Sequence, residues 1–254
     1  MPYRHIGELA GFFLIFILEG LCPYYDPQVR RYRHALRNGS LFLLNSGIYL
    51  LVFSGLTFSA MEWANRNSAG LLNLVDAGFL EWPAGILLLD LWMYVWHMLL
   101  HRGPFLSLFH RMHHSDIEMD VTTALRFHPG EILISHLLRT GVILLIGIEP
   151  EQFLFYGFIL QLSIFFHHSN LGFGPKTDRF LSLFIVSPMM HKIHHSTKKE
   201  ERNSNYTSLF SFWDRLFATY TPAAREERIE FGLPVFREDS WQNVRGMLKT
   251  PFVK

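Results

Sequence analysis

Residues 90–114 read DLWMYVWHMLLHRGPFLSLFHRMHH. Asp90, Tyr94, His97 and His101 are spaced four, three and four apart, so they share one stripe of a helix. Gly103-Pro104 ends that helix, and a second helical stretch carries His110, His113 and His114. Downstream, His191, His194 and His195 repeat the same HxxHH spacing. Of the chain's 14 histidines, eight fall in these three groups. Each group can aim two or three imidazoles at one point. Neutral imidazole is the commonest protein ligand for a transition metal. Eight such ligands exceed the four of a structural zinc site, so the pattern implies a pair of metal ions. His113 and His114 stand about 100° apart around a helix, so one can face each ion. The same holds for His194 and His195.

The remaining histidines divide by context. His167-His168 closes an apolar run just before Ser169-Asn170. His168 is expected as a ligand, with His167 the less favoured of the two. His128 precedes Pro129 and reads as a helix cap or a support for a ligand. His5, His34 and His136 belong to no group and read as structural. Asp90 lies seven residues before His97, deep in an apolar run. A carboxylate there needs a partner, and a ligating imidazole or Tyr94 is the expected one.

Working outward, the 254 residues are 49% hydrophobic and 15% aromatic, and only 18% are charged. Soluble domains carry about 25% charged residues, so this chain is unusually apolar. A net charge of +1 argues against a nucleic-acid partner. The single cysteine, Cys22, excludes an internal disulfide and any CxxC metal or redox site. Residues 40–61 and 82–100 are apolar enough to span a membrane, which takes about 20 such residues. Residues 6–22 are marginal, with Glu8 and Glu19 inside them. Segments 131–148 and 152–167 are short for separate spans and read as a helical hairpin joined by Glu149-Pro150-Glu151. The acidic residues in the apolar start also argue against a signal peptide. Residues 171–180 form a Gly/Pro loop without P-loop spacing, and residues 221–254 read as a polar, surface-hugging tail.

Orientation follows from the arginines. Arg30, Arg31, Arg33 and Arg37 crowd the connection between the first two apolar segments. The next connection holds only Arg66, beside Glu62, Asp76 and Glu81. The positive-inside rule places the first connection in the cytoplasm and the second outside. The span ending at His101-Arg102 then returns inward, and all three histidine groups fall on one membrane face. The glycosylation patterns at Asn38 and Asn205 would face the cytoplasm and are discounted. The expected fold is all-α: an integral membrane helical bundle of about three to five embedded helices under a cytoplasmic, His-rich helical cap. Residues 1–84 would be N-terminal spans, 85–220 the catalytic domain and 221–254 the tail.

The motifs together resemble the fatty acid hydroxylase/sterol desaturase superfamily. They are Asp90-xxx-Tyr94-xx-His97-xxx-His101, His110-xx-His113-His114, Arg126-Phe-His-Pro-x-Glu131, Phe166-His-His-Ser-Asn170, Ser187-Pro-xx-His191-xx-His194-His195 and Ser211-Phe-Trp-Asp-Arg-Leu-Phe-Ala-Thr-Tyr220. The resemblance covers about residues 85–220. It implies a membrane oxygenase with a non-haem di-iron centre on the cytoplasmic side, in the inner membrane of a cell or the endoplasmic reticulum. Carried over by motif, the ligands would be His97, His101, His110, His113, His114, His168, His191, His194 and His195, with Asp90 in support. Zinc can stand in for iron in purified samples. Met98 stands where many members have Arg, and Ala218 where many have Gly; neither change removes a ligand.

The implied chemistry is O2-dependent hydroxylation or desaturation of a sterol or fatty-acyl lipid. Trp92, Trp96, Phe153, Phe155 and Phe165 could line a lipid path, although packing is the simpler role for most of them. No flavin, dinucleotide or haem motif occurs, so a separate electron donor of reductase, cytochrome or ferredoxin type is expected. A metal transport or storage protein is the alternative. It would place histidines and acids along the spans, whereas these sit at span ends and beyond. A zinc hydrolase would expect HExxH, which is absent.

Overall fold

The structure is a computed structural model that describes residues 2–27, 29–74, 78–222 and 228–253. Asp76, counted above among the loop charges, lies outside them. Helices account for the regular structure, and pairing between strands is limited among the described residues to three isolated bridges. The all-α expectation therefore holds.

The N-terminal half supplies the long helices. Helix α1 (Pro2–Leu21) is followed by α2 (Arg31–Ile48), a π-helical turn at Tyr49–Phe53 and α3 (Ser54–Arg66). From Arg31 to Arg66 the chain is helical almost throughout, roughly 54 Å at 1.5 Å per residue. That is longer than the ~30 Å hydrocarbon core of a bilayer. The expected arginine loop is thus corrected: Arg31, Arg33 and Arg37 are helical residues of α2, held in helix by the hydrogen-bonded first turns that continue into the apolar run. Helix α4 (Glu81–Arg102) carries Asp90 to His101 and stops at Gly103, where the backbone turns extended. Helix α5 (Leu106–His114) follows.

Helices α6 (Pro129–Ile146) and α7 (Pro150–His168) form the expected hairpin, and each begins with Pro in its first turn. The hairpin turn requires glycine. Gly147 has φ 76°, and a Cβ added there would lie 2.6 Å from Ala69 O and 3.1 Å from Gly70 Cα. Helix α8 (Pro175–Leu181) leads to α9 (Pro188–His194), whose N-terminus is capped by the Ser187 hydroxyl accepting from Met190 N (3.2 Å). Four short helices complete the chain: α10 (Lys199–Arg202), α11 (Phe212–Leu216), α12 (Asp239–Gln242) and α13 (Val244–Lys249).

Among the described residues, three segments are long and apolar enough to cross a membrane: Arg31–Leu74, Gly78–Arg102 and Pro129–Ile146. The first two contain the spans expected from the sequence. The third corrects one reading: α6, capped by His128, runs as one unbroken 18-residue helix apolar enough to cross by itself. Met61, Leu89, Ile143, Ile146, Tyr156 and Leu160 form the main core between α3, α4, α6 and α7. Exposed Leu43 on α2, Leu51 on the π-helical turn, and Leu137 and Leu145 on α6 face outward, as lipid-facing residues do. The tail is more deeply held than its polar sequence suggests. Ile229 and Phe231 pack on Met119 and Ile193, and Met247 packs on Leu41 and Met112, because these apolar residues sit among polar neighbours that mask the pattern.

Candidate metal centre

Helices α4, α5, α7 and α9 converge their ends on one buried spot. Two sets of imidazoles meet there. His97 and His101 from α4, His110 and His114 from α5 and His194 from α9 form one; their candidate ligand atoms all lie within 4.8 Å of one another. His113, His168, His191 and His195 form the other, by the same measure. Consecutive histidines split as helix geometry requires: His114 joins the first set and His113 the second, His194 the first and His195 the second.

The surrounding backbone fixes which ring nitrogen points inward. His97 Nδ1 donates to Tyr206 O (2.7 Å) and His194 Nδ1 to Ser204 O (2.6 Å). His113 Nδ1 donates to Arg126 O (3.1 Å) and His168 Nδ1 to Ile164 O (2.9 Å). A neutral ring that donates through Nδ1 carries only a lone pair on Nε2. Yet His97 Nε2 and His194 Nε2 are 3.0 Å apart, and His113 Nε2 and His168 Nε2 are 3.2 Å apart. Neither pair can be a hydrogen bond with these tautomers, and two facing lone pairs repel. A cation held by each pair would remove the conflict. The Nε2 atoms of His101, His110, His114 and His195 are buried without a hydrogen-bond partner, as atoms aimed at an ion would be. The residues present fit two metal ions.

Burial, with the neighbouring imidazoles adding to it, holds His113, His114, His191 and His195 well below the usual imidazole range. Burial likewise pushes His194 down to about 3. All five rings are therefore neutral at pH 7, the form that binds a metal.

The structure also assigns partners that the sequence did not reveal. Glu131 is buried and its oxygens lie 3.1 and 3.2 Å from His110 Nδ1, the carboxylate accepting. Its sequence signal was its place at the end of the Arg126-Phe-His-Pro-x-Glu131 motif, which says nothing of the ring it meets. Arg126, also buried, donates from Nε to Met112 O (3.0 Å) and from Nη2 to Ser115 Oγ (2.9 Å), bracing the end of α5. His128 caps α6, its Nδ1 accepting from Gly130 N at 2.9 Å, within the role expected of it. His167 belongs to neither set, although its ring centroid is 4.1 Å from that of His191.

One expectation is corrected. Asp90 touches no histidine and not Tyr94. It accepts from the Tyr156 hydroxyl (2.9 Å), Trp213 Nε1 (2.9 Å) and Phe210 N (3.2 Å). Its position on α4 turns it toward α7 and the 210–213 segment, which supply three donors to a buried carboxylate. Tyr94 instead pairs with the Thr219 hydroxyl at 3.0 Å. His34 keeps the structural role expected of it, but it is not isolated. It sits between Asp116 (2.9 Å from Nε2) and Asp120 (3.0 Å from Nδ1), with Asn38 beside it. Burial alone would raise the Asp116 pKa, but His34 and Arg126 pull it down to about 2. This cluster ties α2 to the loop that follows His114. Of the aromatics considered for a lipid path, Trp96 and Phe165 are buried in packing and Phe153 lies against the main core. Phe155 is exposed beside Trp82, with ring centroids 5.9 Å apart.

Comparison with known proteins gives a family model described as fatty acid hydroxylase, which matches residues 82–219. An ornithine lipid hydroxylase from Rhizobium tropici is 28% identical over 161 residues, covering 60% of this chain and 47% of that protein. An alkylglycerol monooxygenase from Danio rerio is 25% identical over 197 residues, covering 76% of this chain and 39% of that protein. A cholesterol 25-hydroxylase from Rattus norvegicus is 26% identical over 239 residues, covering 88% of this chain and 77% of that protein. The match thus spans about half or less of the first two relatives. No solved structure matches.

Proposed function

We propose, from the premise that this chain belongs to the fatty acid hydroxylase family, that it is a membrane-bound oxygenase acting on a lipid at a pair of iron ions. The observation that carries this reading is the pairing of inward-facing Nε2 atoms at 3.0 and 3.2 Å, each ring locked by a backbone carbonyl. The five-imidazole set holds one ion and the four-imidazole set the other. Two iron ions held so, given O2 and two electrons, supply an oxidant able to attack an unactivated C–H bond. The chain's own part is to position the rings, keep them neutral and exclude bulk water, which their burial achieves. The relatives are named for hydroxylation of an ornithine lipid and of cholesterol and for monooxygenation of an alkylglycerol, which favours hydroxylation over desaturation here.

The site lies at the ends of membrane-length helices, so a lipid can reach it from the bilayer without leaving the apolar phase. We place it on the cytoplasmic side, because Arg31, Arg33 and Arg37 begin the helix whose His34 reaches the loop after His114. A separate reductase, cytochrome or ferredoxin would deliver the electrons. Transport or storage of metal is disfavoured, since the imidazoles collect in one closed cluster instead of tracing a route through the spans.

The test is direct. The full chain, purified from membranes and reconstituted with Fe(II), should bind two irons per chain. It should consume O2 in the presence of an electron donor and add oxygen to a lipid recovered by mass spectrometry. Full loading that stops at one iron, or lipid profiles identical in cells with active and His114→Ala protein, would sink the reading.

A further inference from the structure

A second polar site lies away from the imidazoles. Arg33 and Arg37, four apart, share one face at the start of α2 with His34 between them, and Arg30 stands on the same side in the extended residue just before the helix. That face lines a cavity of about 270 Å³, closed on the other side by Ile117, Asp239 and Gln242. Charge in the cavity is unbalanced. Arg37 is paired with Asp239 (2.8 Å), and His34 is taken up by Asp116 and Asp120. Among the described residues, no carboxylate pairs with Arg30 or Arg33, and both are exposed. Arg33 and Arg37 also repel each other across one helical turn. An anion in the cavity would turn that repulsion into attraction.

Three features narrow the ligand. Guanidinium groups present a planar fork that matches phosphate oxygens two at a time. The volume admits a single headgroup-sized moiety and excludes a nucleic-acid strand. The site also stands where the membrane-length segment Arg31–Leu74 begins. Tyr32 and Leu36, on the same turns of α2, are 79% and 73% exposed, as residues at a lipid headgroup level would be. Basic pockets beside membrane-spanning helices bind anionic headgroups.

We propose that the cavity between the start of α2 and α12 binds a phosphate group, carried by an anionic phospholipid or free in solution. The site stands on geometry separate from the metal centre and does not depend on the activity assigned there.

The test uses the full, metal-loaded chain in zwitterionic detergent and three probes: inorganic phosphate, short-chain phosphatidylglycerol and short-chain phosphatidylcholine. Affinities are read by calorimetry. Phosphatidylglycerol should bind and phosphatidylcholine should bind far more weakly. Binding of inorganic phosphate in competition with phosphatidylglycerol assigns the affinity to the phosphate itself; binding of phosphatidylglycerol alone assigns it to the lipid. Each lost arginine should weaken binding about fivefold, so Arg33→Gln loses about fivefold and Arg30→Gln/Arg33→Gln about 25-fold. Arg33→Lys, which keeps the charge and loses the fork, should fall between wild type and Arg33→Gln. Arg66→Gln, at the far end of α3, should bind as wild type does. Both exposed arginines tolerate substitution without loss of fold, which unchanged iron content and helical circular dichroism verify. The proposal is overturned if neither phosphate probe binds, if the double variant binds as tightly as wild type, or if Arg66→Gln weakens binding equally.

Discussion

Replacing Glu131 by Gln should loosen one set of imidazoles and spare the other. The buried Glu131 carboxylate accepts from His110 Nδ1 at 3.1 and 3.2 Å, and His110 lies in the five-imidazole set. A hydrogen bond to a charged group contributes about 1.5–3 kcal/mol. Each 1.4 kcal/mol is tenfold in binding, so the carboxylate strengthens that set's metal affinity about 10- to 100-fold. The Gln amide keeps an acceptor but loses the charge, which places Glu131→Gln near tenfold. Glu131→Ala also leaves the Nδ1–H unpartnered in the interior, which places it near 100-fold. The assay is chelator titration of fully loaded protein, with released metal counted per chain. One ion should leave at about tenfold lower chelator concentration in Glu131→Gln, while the ion of the His113 set leaves as in wild type. Release of both ions at wild-type concentrations in both variants would refute the tuning role. Loss of both together from folded protein would refute the division into two sets.

Other substitutions read other parts of the structure. His97→Ala and His191→Ala should each lower metal content from two ions to one and abolish activity, because they open different sets; metal analysis that shows either variant with both ions would contradict the partition. His34→Ala should destabilise the fold by about 3–5 kcal/mol, since Asp116 and Asp120 are left as buried charges without their shared partner, and a denaturant titration measures it. Ala218 adopts φ 54°, the left-handed region that favours glycine. Ala218→Gly should raise stability by about 0.5–1 kcal/mol, the relief of left-handed strain less the greater chain entropy of glycine, read as a higher melting temperature. Asp90→Asn should cost about 1–3 kcal/mol by turning an amide N–H₂ toward the donors of Tyr156, Trp213 and Phe210, and should leave metal content at two.

Spacing along the chain was enough to read the histidine groups, the break at Gly103-Pro104 and the long apolar helices, because those patterns repeat with the 3.6-residue period of one helix. It was also enough to separate His113 from His114 and His194 from His195, since 100° between neighbours is a property of the helix itself. Only the tertiary structure decided what lies opposite each face. Asp90 shares a stripe with His97 and yet turns to Tyr156 and Trp213, because α7 and the 210–213 segment pack there. His34, alone in the sequence, meets two carboxylates more than 80 residues away. The carbonyls of Tyr206, Ser204, Arg126 and Ile164 that set the ring tautomers left no mark in the sequence, since every residue has a carbonyl and only the fold aims it. Local periodicity fixes the side of a helix on which a residue stands, and the packing of distant segments fixes its partner.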